Sequence, residues 1–568
     1  MQRFITVTLT AIVFAAFVLF TGCKDSNITD SSFDPPTVES VSPTEGAVGT
    51  ELTINGTNFR SGPEVLVDGI PAIDVEYSSP TLIYASVPSG VAANSPLTVT
   101  VQNSDDQSAS LEGAFTAIDP QLSFVNSATK PSGNIGSTVI IEGRAFGDKQ
   151  GGSQVFFSDG TGGTIPAEIS SPDDWTDTFI VTTVPNGSDD GPVTVETEIG
   201  TSESLDFQVT DGAVFSPSSI EWTVTTELPE AVSGHKAVYT PLLNASDMTE
   251  QYVHVTGGRD QDGEASGQVL HGRIDSNGDI TSWNSSASLP QPLSFHASVS
   301  ATPFNSRVQG DGFLYVLGGT GADGQPISTV SIGSLNAGGE VDNWTDGTPL
   351  PEPLHSLGAV LFRSSIYISG GASIDNEPTD KVYKAEIDTL GNLGDWEQLD
   401  NLPSPRAYHG FVSFGGYLYS VGGESAAVSP DDGVSGSNLD EVAYVRVNLR
   451  TGNFTATGWT VNEESLQKTR SKHTTVIAGG NVFVSSGLYA AAGQGSSENA
   501  YAQLNSDGSV GSFAGATGSN TLLSEGGSNL FNQAGLSYVD DEGVSHVMII
   551  GGDEVNDPGS RKSNVLFY

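Results

Sequence analysis

The feature that most constrains the fold is an apolar strand that ends in a glycine pair and recurs along the C-terminal part of the chain. Successive copies are 52–65 residues apart, a period typical of repeat architectures. A repeat of this size cannot bury its apolar face alone, so the units must stack on one another. The copies, of which the fifth is degenerate, end at Gly258, Gly319, Gly371, Gly423, Gly487 and Gly552.

Two further landmarks divide each unit into four short strands. A glycine turn and then an aromatic residue follow the first five copies, at Trp283, Trp344, Trp396, Trp459 and Phe513. A histidine precedes the first five copies, at His235, His296, His355, His409 and His473. The last unit has only three strands before Tyr568, and we expect the segment Ser219–Pro229, with Trp222, to complete it and remove its open edge.

This order of strands resembles the kelch repeat, whose glycine pair ends the second strand of a β-propeller blade. The resemblance covers residues 213–568 and implies a six-bladed kelch-like β-propeller. The fold class predicted for the whole chain is all-β.

Residues 36–211 contain a different repeat, made of short β-branched runs between Gly, Pro and Asn turns. The segment Gly49–Phe59 is matched by Gly136–Phe146, and Thr81–Gly90 by Thr178–Gly187, at intervals of 87 and 97 residues. Such runs indicate β-sandwiches. The pattern resembles the IPT/TIG immunoglobulin-like domain, which implies one domain at 36–118 and a second at 119–211. Such domains act as spacers or as adhesive modules, and we favour the spacer role.

Matching residues should shape the two sandwiches in the same way. Phe59 and Phe146 are expected to close the two cores. Glycines flank the second strand of each copy, where we expect turns with positive φ; they are Gly49, Gly56, Gly136 and Gly143.

The N-terminus predicts a cellular address. Arg3 precedes an apolar run from Phe4 to Phe20, which is short for a membrane span and typical of a signal peptide. The run ends in Phe-Thr-Gly-Cys, which resembles the lipobox of bacterial lipoproteins and implies that Cys23 carries lipid. Cys23 is the only cysteine, so no internal disulfide can form, and we favour a lipid anchor over an ordinary secretory signal.

These features predict a signal peptide at 1–22 and a flexible tether at 23–35. The expected location is the cell envelope, as a surface-exposed outer-membrane lipoprotein that contacts the membrane through its anchor only.

The charge balance excludes one class of partner. The chain has 68 acidic and 21 basic residues and a formal net charge of −47. Binding to a phosphate backbone needs clustered Lys and Arg, so we do not expect a nucleic-acid partner.

The expected ligand-binding face is the one with the long loops that follow the glycine pairs. In a chain so poor in basic residues, several that fall on this face could form an anion pocket: Arg259, Arg406, Arg470, Lys472 and Arg561. The alternative, which the sequence leaves open, is that they form salt bridges between blades.

The histidine series is interpreted as packing, because a residue repeated once per blade is more often scaffold than ligand. No catalytic residue, metal site or cofactor is predicted. Galactose-oxidase-like enzymes share the kelch propeller, but their copper cofactor needs a Tyr–Cys crosslink, and Cys23 lies in the signal region.

The function predicted from the sequence is binding. The propeller is expected to recognise a glycan or an envelope protein, with the sandwiches as spacers. The alternative is an enzyme acting on an acidic sugar, similar to sialic-acid epimerases, for which Arg406 and Arg470 would have to converge with an acid on one pocket.

Overall fold

A computed structural model describes most of the chain after residue 33. The described residues are 34–125, 131–136, 138–210, 222–243, 249–302, 306, 308, 310, 312–427, 437–448, 451–489, 494–495, 498–505, 507–515, 530–540, 544–554 and 557–568. The segment predicted to be a signal peptide, Cys23 and most of the predicted tether lie outside them. Within them the fold is all-β apart from one 3-10 turn at Pro172–Asp174, and no helix is long and apolar enough to cross a membrane.

The first sandwich packs a four-stranded sheet against a five-stranded sheet. Its strands are β1 (Thr37–Ser42), β2 (Glu45–Gly46), β3 (Glu51–Thr57), β4 (Glu64–Val67), β5 (Ile70–Pro71), β6 (Ile73–Ser79), β7 (Leu82–Ser86), β8 (Pro96–Gln102) and β9 (Ser108–Ala117). The sheet orders are β1-β3-β7-β6 and β2-β9-β8-β4-β5. Alternate residues such as Leu52 and Ile54 of β3 point inward and are fully buried, because side chains alternate between the two faces of a strand.

The second sandwich repeats this topology. Its strands are β10 (Gln121–Val125), β11 (Ser132–Asn134), β12 (Thr138–Arg144), β13 (Gln154–Ser158), β14 (Thr164–Pro166), β15 (Trp175–Thr176), β16 (Phe179–Thr183), β17 (Gly191–Glu196) and β18 (Leu205–Thr210). The sheet orders β10-β12-β16-β15 and β11-β18-β17-β13-β14 match those of the first sandwich strand for strand.

Phe59 and Phe146 are buried in the two cores, as predicted. The prediction for the glycines is half right. Gly49 and Gly136 have φ values of +85° and +80°, but Gly56 and its counterpart Gly143 do not have positive φ. They are needed for space instead, because a Cβ at Gly56 would lie 1.9 Å from the Thr37 carbonyl oxygen of the neighbouring strand and 2.6 Å from the ring of Phe59.

The C-terminal part contains six four-stranded sheets among its described residues. Its strands are β19 (Thr223–Val224), β20 (Lys236–Leu243), β21 (Thr249–Thr256), β22 (Val269–Ile274), β23 (Ile280–Ser285), β24 (Leu293–Ser294), β25 (Ala297–Ala301), β26 (Phe313–Leu317), β27 (Thr320–Gly321), β28 (Val330–Leu335), β29 (Val341–Asp346), β30 (Gly358–Phe362), β31 (Ser365–Ser369), β32 (Val382–Glu386), β33 (Glu397–Gln398), β34 (Gly410–Phe414), β35 (Tyr417–Val421), β36 (Val442–Arg446), β37 (Thr460–Val461), β38 (Thr474–Ala478), β39 (Asn481–Ser485), β40 (Leu488–Tyr489), β41 (Gln494–Gly495), β42 (Asn499–Gln503), β43 (Ala514–Gly515), β44 (Leu530–Phe531), β45 (Ala534–Val539), β46 (Ser545–Ile550), β47 (Asp553–Glu554), β48 (Asp557–Arg561) and β49 (Val565–Phe567).

The sheets, which we number 1 to 6, are arranged as a β-propeller. In chain order they are β20-β21-β22-β23, β25-β26-β28-β29, β30-β31-β32-β33, β34-β35-β36-β37, β38-β39-β42-β43 and β45-β46-β49-β19. Their first strands contact one another in a cycle, with β45 of sheet 6 against β20 of sheet 1. Thr223 of β19 pairs with Phe567 of β49, which confirms that the N-terminal strand completes the last sheet.

Four tryptophans tie sheets 1 to 4 each to the sheet before it, whereas sheet 5 has Phe513 at this position and the buried indole N–H of Trp222 in sheet 6 has no partner among the described residues. The indole N–H of Trp344 donates to the Ala287 carbonyl at 2.9 Å, and that of Trp283 to Thr226, just after β19, at 2.9 Å. Trp396 and Trp459 make the same contact with Thr348 and Asp400. The repeated Trp position is therefore scaffold, as predicted.

The histidines fill the space that the glycine pairs leave. A Cβ added at Gly319 would lie 2.7 Å from the Cβ of His296 in the same sheet, and one at Gly257 would lie 2.8 Å from the His296 ring. His409 and His473 are wedged in the same way, each between the glycine pairs of two sheets. His235 is wedged in the same way against Gly551 of sheet 6, which closes the ring.

His355 does not belong to this series, which corrects the sequence interpretation. In sheet 3 the residue packed against the glycine pair is Leu357, since a Cβ at Gly371 would lie 2.9 Å from the Leu357 Cβ. His355 lies two residues earlier and faces the loops. Gln533 fills the same position in sheet 6.

The second sandwich is docked on the propeller, on the side away from the glycine pairs. Phe179 of β16 packs edge-on against Phe362, at the turn between β30 and β31, with ring centroids 5.9 Å apart. Arg363 lies over the Phe179 ring, and Arg446 pairs with Asp174. Valines, leucines and aromatic residues of both domains form one buried cluster around these contacts.

Candidate functional site

The loop-bearing face of the propeller is organised by a closed ring of backbone hydrogen bonds. We call the residue packed against the glycine pair of each sheet its wedge residue; these are His235, His296, Leu357, His409, His473 and Gln533. The residue directly before each wedge residue donates its N–H to the carbonyl of the equivalent residue in the preceding sheet, at 2.7–3.0 Å. All six residues have φ between +52° and +59°. They are Gly234, Phe295, Ser356, Tyr408, Lys472 and Asn532, and we call them the mouth ring.

The mouth ring and its neighbours differ from the scaffold in composition. The wedge and glycine positions repeat with little change, whereas the mouth ring contains an amide, a hydroxyl, an amine and two aromatic rings on one backbone geometry. The residue after each glycine pair varies as widely, being Arg259, Thr320, Ala372, Glu424, Leu488 and Asp553. Positive φ is costly for residues other than glycine, so the five mouth-ring residues other than Gly234 have a strained backbone. Strain of this kind concentrates at functional sites.

A connected basic–aromatic cluster, which we call the mouth cluster, lies on this ring. Arg259 lies over the Phe295 ring at 4.8 Å, and Phe295 meets Tyr408 edge-on at 6.0 Å. The Lys472 ammonium lies 4.7 Å above Tyr408, and the His355 ring is 6.1 Å from it. Five consecutive sheets each contribute one of these five residues. Cation–π contacts of this kind hold the positive groups in fixed positions.

His355 is held neutral in this environment. Its Nδ1 lies 3.0 Å from the Ser356 hydroxyl and its Nε2 lies 3.2 Å from Asn376 Oδ1. Burial lowers its pKa to about 4, with the charges of Lys472 and Arg259 adding to the effect against the Asn376 hydrogen bond. The imidazole is therefore a neutral hydrogen-bonding group at pH 7.

The sixth sheet adds a polar group to the face. Arg561 Nε lies 3.1 Å from the Ser233 hydroxyl and 3.6 Å from Asp553 Oδ1, and Asn532 Nδ2 donates to Asp553 Oδ2 at 3.1 Å. Arg561 therefore bridges the loops of sheets 6 and 1. Of the sequence-predicted residues, the structure places Arg259, Lys472 and Arg561 at this end of the propeller, where the Lys472 side chain is buried and only 4% exposed.

Arg406 and Arg470 lie below the face, inside the sheets. Arg406 is 0% exposed, pairs with Glu441 and donates to the Gly422 carbonyl at 3.2 Å. Arg470 is 3% exposed and donates to the carbonyls of Ser486 and Glu498, both at 3.3 Å. Each guanidinium group thus fixes the backbone segment that follows the second strand of its own sheet, β35 for Arg406 and β39 for Arg470.

An alignment of the repeats would have predicted that Arg406 and Arg470 are buried. Arg406 and Arg470 lie three residues before the wedge residue, where the other sheets have Val232, Leu293, Leu354 and Leu530, all buried. An arginine at a position that is otherwise apolar is expected in the interior with its charge paired.

The wedge histidines offer no metal site among the described residues, where no group of three metal-ligating side chains occurs. Burial lowers the pKa of His235, His296 and His473 to about 3 each, so they stay neutral at pH 7. This agrees with their interpretation as packing residues.

Comparisons with known proteins support the two kinds of domain. A model of the IPT/TIG domain family matches residues 36–117. Beta-scruin of Limulus polyphemus is 27% identical over 167 residues, which cover 27% of this chain and 16% of that protein. Kelch-like protein 23 of Homo sapiens is 28% identical over 148 residues, which cover 26% of this chain and 22% of that protein.

A solved structure titled "Structure of YjhT" overlaps 60% of this chain and 96% of its own, at 14% identity and a TM-score of 0.44. That superposition is too loose to carry an argument. The chain thus combines an IPT/TIG domain with a kelch-type β-propeller, and it spans less than a quarter of either curated relative named above.

Proposed function

We propose that this protein is a lipid-anchored binding protein of the cell envelope, whose propeller recognises an envelope protein or a glycan through the mouth cluster. In this proposal Cys23 carries the anchor, residues 119–211 are a second IPT/TIG domain, and the propeller is closed with six blades. The observation that supports the binding function is the contrast between a repeated scaffold and the positions at the loop-bearing end, where every sheet has a different side chain and where Arg259 is partly exposed and Ile374 is exposed.

The six-bladed closure is supported by two complete cycles of contacts, between the first strands and through the mouth-ring hydrogen bonds. The contact of His235 with Gly551 adds a third link from sheet 6 to sheet 1. Closure matters for binding because it holds the mouth-ring side chains in fixed positions, so that little conformational entropy is lost when a ligand binds.

The position of the second sandwich supports a role in presentation. It contacts turns such as Phe362–Arg363, at the end of the propeller opposite the glycine pairs. The loop-bearing face is therefore left open to a partner, and it presents Ile374, whose side chain is 62% exposed.

The acidic-sugar alternative depended on Arg406 and Arg470 converging on a pocket. Since both guanidinium groups are buried within the sheets, no observation favours that activity, and we do not propose it.

The binding proposal is tested with the purified full chain on a glycan array and in crosslinking to an envelope extract. Arg259→Ala and Ile374→Ser should lose a ligand that the wild type retains, whereas Leu390→Ser, an equally exposed residue of the opposite face, should keep it. Equal loss in all three variants, or in none, would rule out this face.

The proposed lipid anchor and surface location need a separate test. Metabolic labelling with a radioactive fatty acid should label the wild type and leave Cys23→Ser unlabelled. Protease added to whole cells should then degrade the propeller, and full protection of the propeller would contradict surface exposure.

A further inference from the structure

One buried lysine of the propeller contacts both a carboxamide and a carboxylate. The side chain of Lys384, on β32 of sheet 3, is 5% exposed. Its ammonium donates to Oδ1 of Asn453 at 2.7 Å and to the Thr451 carbonyl at 2.9 Å, both in the segment between β36 and β37 of sheet 4. It also lies 3.3 Å from Oε2 of Glu397, on β33. The carboxylate contacts the amide as well, since Asn453 Nδ2 donates to Glu397 Oε1 at 3.5 Å.

A lysine is exceptional at this position of the repeat. The residues in the same register on the other sheets have aromatic or aliphatic side chains: His271, Ile332, Tyr444, Tyr501 and Phe567. Lys384 is the one amine in this series, so an amine of the series meets a carboxamide only between sheets 3 and 4. A buried amine at a place that is otherwise apolar or aromatic indicates a specific use.

Aromatic residues hold the segment that carries Asn453 against the lysine. The Tyr367 hydroxyl donates to the Gly452 carbonyl, and the Tyr367 ring stacks on Phe454 with centroids 6.4 Å apart. Phe454 in turn meets Trp459 edge-on at 5.6 Å. These contacts fix the residues on both sides of Asn453, so its amide is positioned beside the amine before any reaction begins.

We propose that Lys384 and Asn453 become joined by an isopeptide bond, with Glu397 as the acid–base group. A lysine amine is a nucleophile once it has lost a proton, and a carboxylate that contacts both amine and amide can carry protons between them. Glu397 accepts a proton from the ammonium, and Nζ attacks Cγ of Asn453, whose Oδ1 lies within hydrogen-bond distance of it. The Nζ–Cγ bond forms and the Cγ–Nδ2 bond breaks. In all, two protons pass from Nζ to Nδ2 through Glu397, so that ammonium ion leaves and nothing is oxidised or reduced.

The bond joins the two sheets on which the second sandwich is docked. Phe362 and Arg363 of sheet 3 contact Phe179, and Arg446 of sheet 4 pairs with Asp174. Force passed between the second sandwich and the propeller therefore acts on both sheets. A covalent link between residues 69 positions apart keeps these sheets from separating and, like a disulfide, restricts the unfolded chain.

The proposal is tested by digesting the purified full chain with trypsin and sequencing the peptides by tandem mass spectrometry. Trypsin does not cleave after an acylated lysine, so the bond should yield peptide 382–406 joined to peptide 451–468. This species should be lighter than the sum of the two peptides by one ammonia, and its fragments should place the link at Lys384 and Asn453. Recovery of free peptide 451–468 without any linked species would overturn the proposal.

Matched variants separate the bond from a simple ion pair. Glu397→Gln keeps the hydrogen-bonding groups but cannot carry the proton, so its peptides should stay unlinked. Glu386→Gln removes another acid, 3.8 Å from the ammonium, and should link as the wild type does. Lys384→Arg keeps the charge without the nucleophile, so it should stay unlinked and unfold at a lower temperature than the wild type. Equal linking in wild type and Glu397→Gln would contradict the role of Glu397, and a link that survives Asn453→Ala would contradict the assigned bond.

Discussion

The joint between the second sandwich and the propeller can be tested through the ion pair of Asp174 with Arg446. The Asp174 side chain is 8% exposed and that of Arg446 is 24% exposed. Removing one partner of a fully buried pair costs about 3–5 kcal/mol, and exposed pairs contribute about 0.2–1 kcal/mol. For this partly buried pair we expect about 2 kcal/mol, or roughly a 30-fold change in the equilibrium for opening the joint.

The opening can be measured by thiol labelling. In a Cys23→Ser background, Val181→Cys places a single thiol in β16, where Val181 is buried in the cluster shared by the two domains. The labelling rate relative to an exposed thiol then reports how often the joint opens. Asp174→Asn should raise that rate roughly 30-fold, as the energy estimate requires.

A double-mutant cycle isolates the pair. Arg446→Met alone should have a similar effect, and the double variant should be no worse than either single variant, since the unpaired charge is gone. Arg144→Met, which breaks a half-exposed pair with Glu45 between the two sandwiches, is the control and should leave labelling at position 181 unchanged. Single variants that alter labelling less than threefold, or a fully additive double variant, would refute the reasoning.

Three further changes test the propeller scaffold. Gly258→Ala should destabilise strongly, because its φ is +102° and the new Cβ would lie 2.7 Å from the His235 Cβ, whereas Gly324→Ala, with open space around it, should cost only about 1 kcal/mol in urea unfolding. Trp344→Phe removes an indole donor and should cost about 1 kcal/mol beyond any packing loss, measured in the same way. His235 and His473 have pKa values lowered to about 3, so the stability that their neutral forms provide is complete above the unfolded pKa near 6.5 and is lost as the pH falls towards 3. The loss should reach about 2 kcal/mol per histidine at pH 5, and His473→Gln should show a correspondingly weaker pH dependence between pH 7 and pH 5.

Much of the scaffold could be predicted because each of its features has a local physical cause. A glycine pair with positive φ, or an indole that must find a hydrogen-bond acceptor, needs one residue type at one place in each repeat. The strand that completes sheet 6 could be predicted for a similar reason, since an unpaired sheet edge is unfavourable. Gly56 shows the limit, because the sequence indicated its position while the reason for it, space for the Thr37 carbonyl and the Phe59 ring, needed the structure.

The site was harder to predict because it depends on which residue of each repeat aligns with which residue of the others. A two-residue offset places Leu357 in the core and His355 on the loop-bearing face, and the spacing of histidines alone could not reveal it. Arg406 and Arg470 were expected on the face for the same reason, although aligning them with the apolar residues of other sheets would have placed them inside. The mouth ring has no sequence pattern, because its members share only a backbone conformation.

The joint between the domains also lay beyond sequence reasoning. Arg446 and Asp174 are 272 residues apart, and nothing in either segment indicates the other. Although the chain has only 21 basic residues, several of them lie where two domains meet. They include Arg144, Lys149, Arg363 and Arg446.

The central claim is that the loop-bearing face of the propeller is the partner-binding surface. It is tested most directly by placing a photo-crosslinking amino acid in the living cell at Ile374 on that face or at Leu390 on the opposite face, two aliphatic residues that are 62% and 66% exposed. Irradiation should yield a defined adduct from position 374 that Arg259→Ala removes, and none from position 390. An adduct from position 390 alone, or equal adducts from both positions that ignore Arg259→Ala, would contradict the claim.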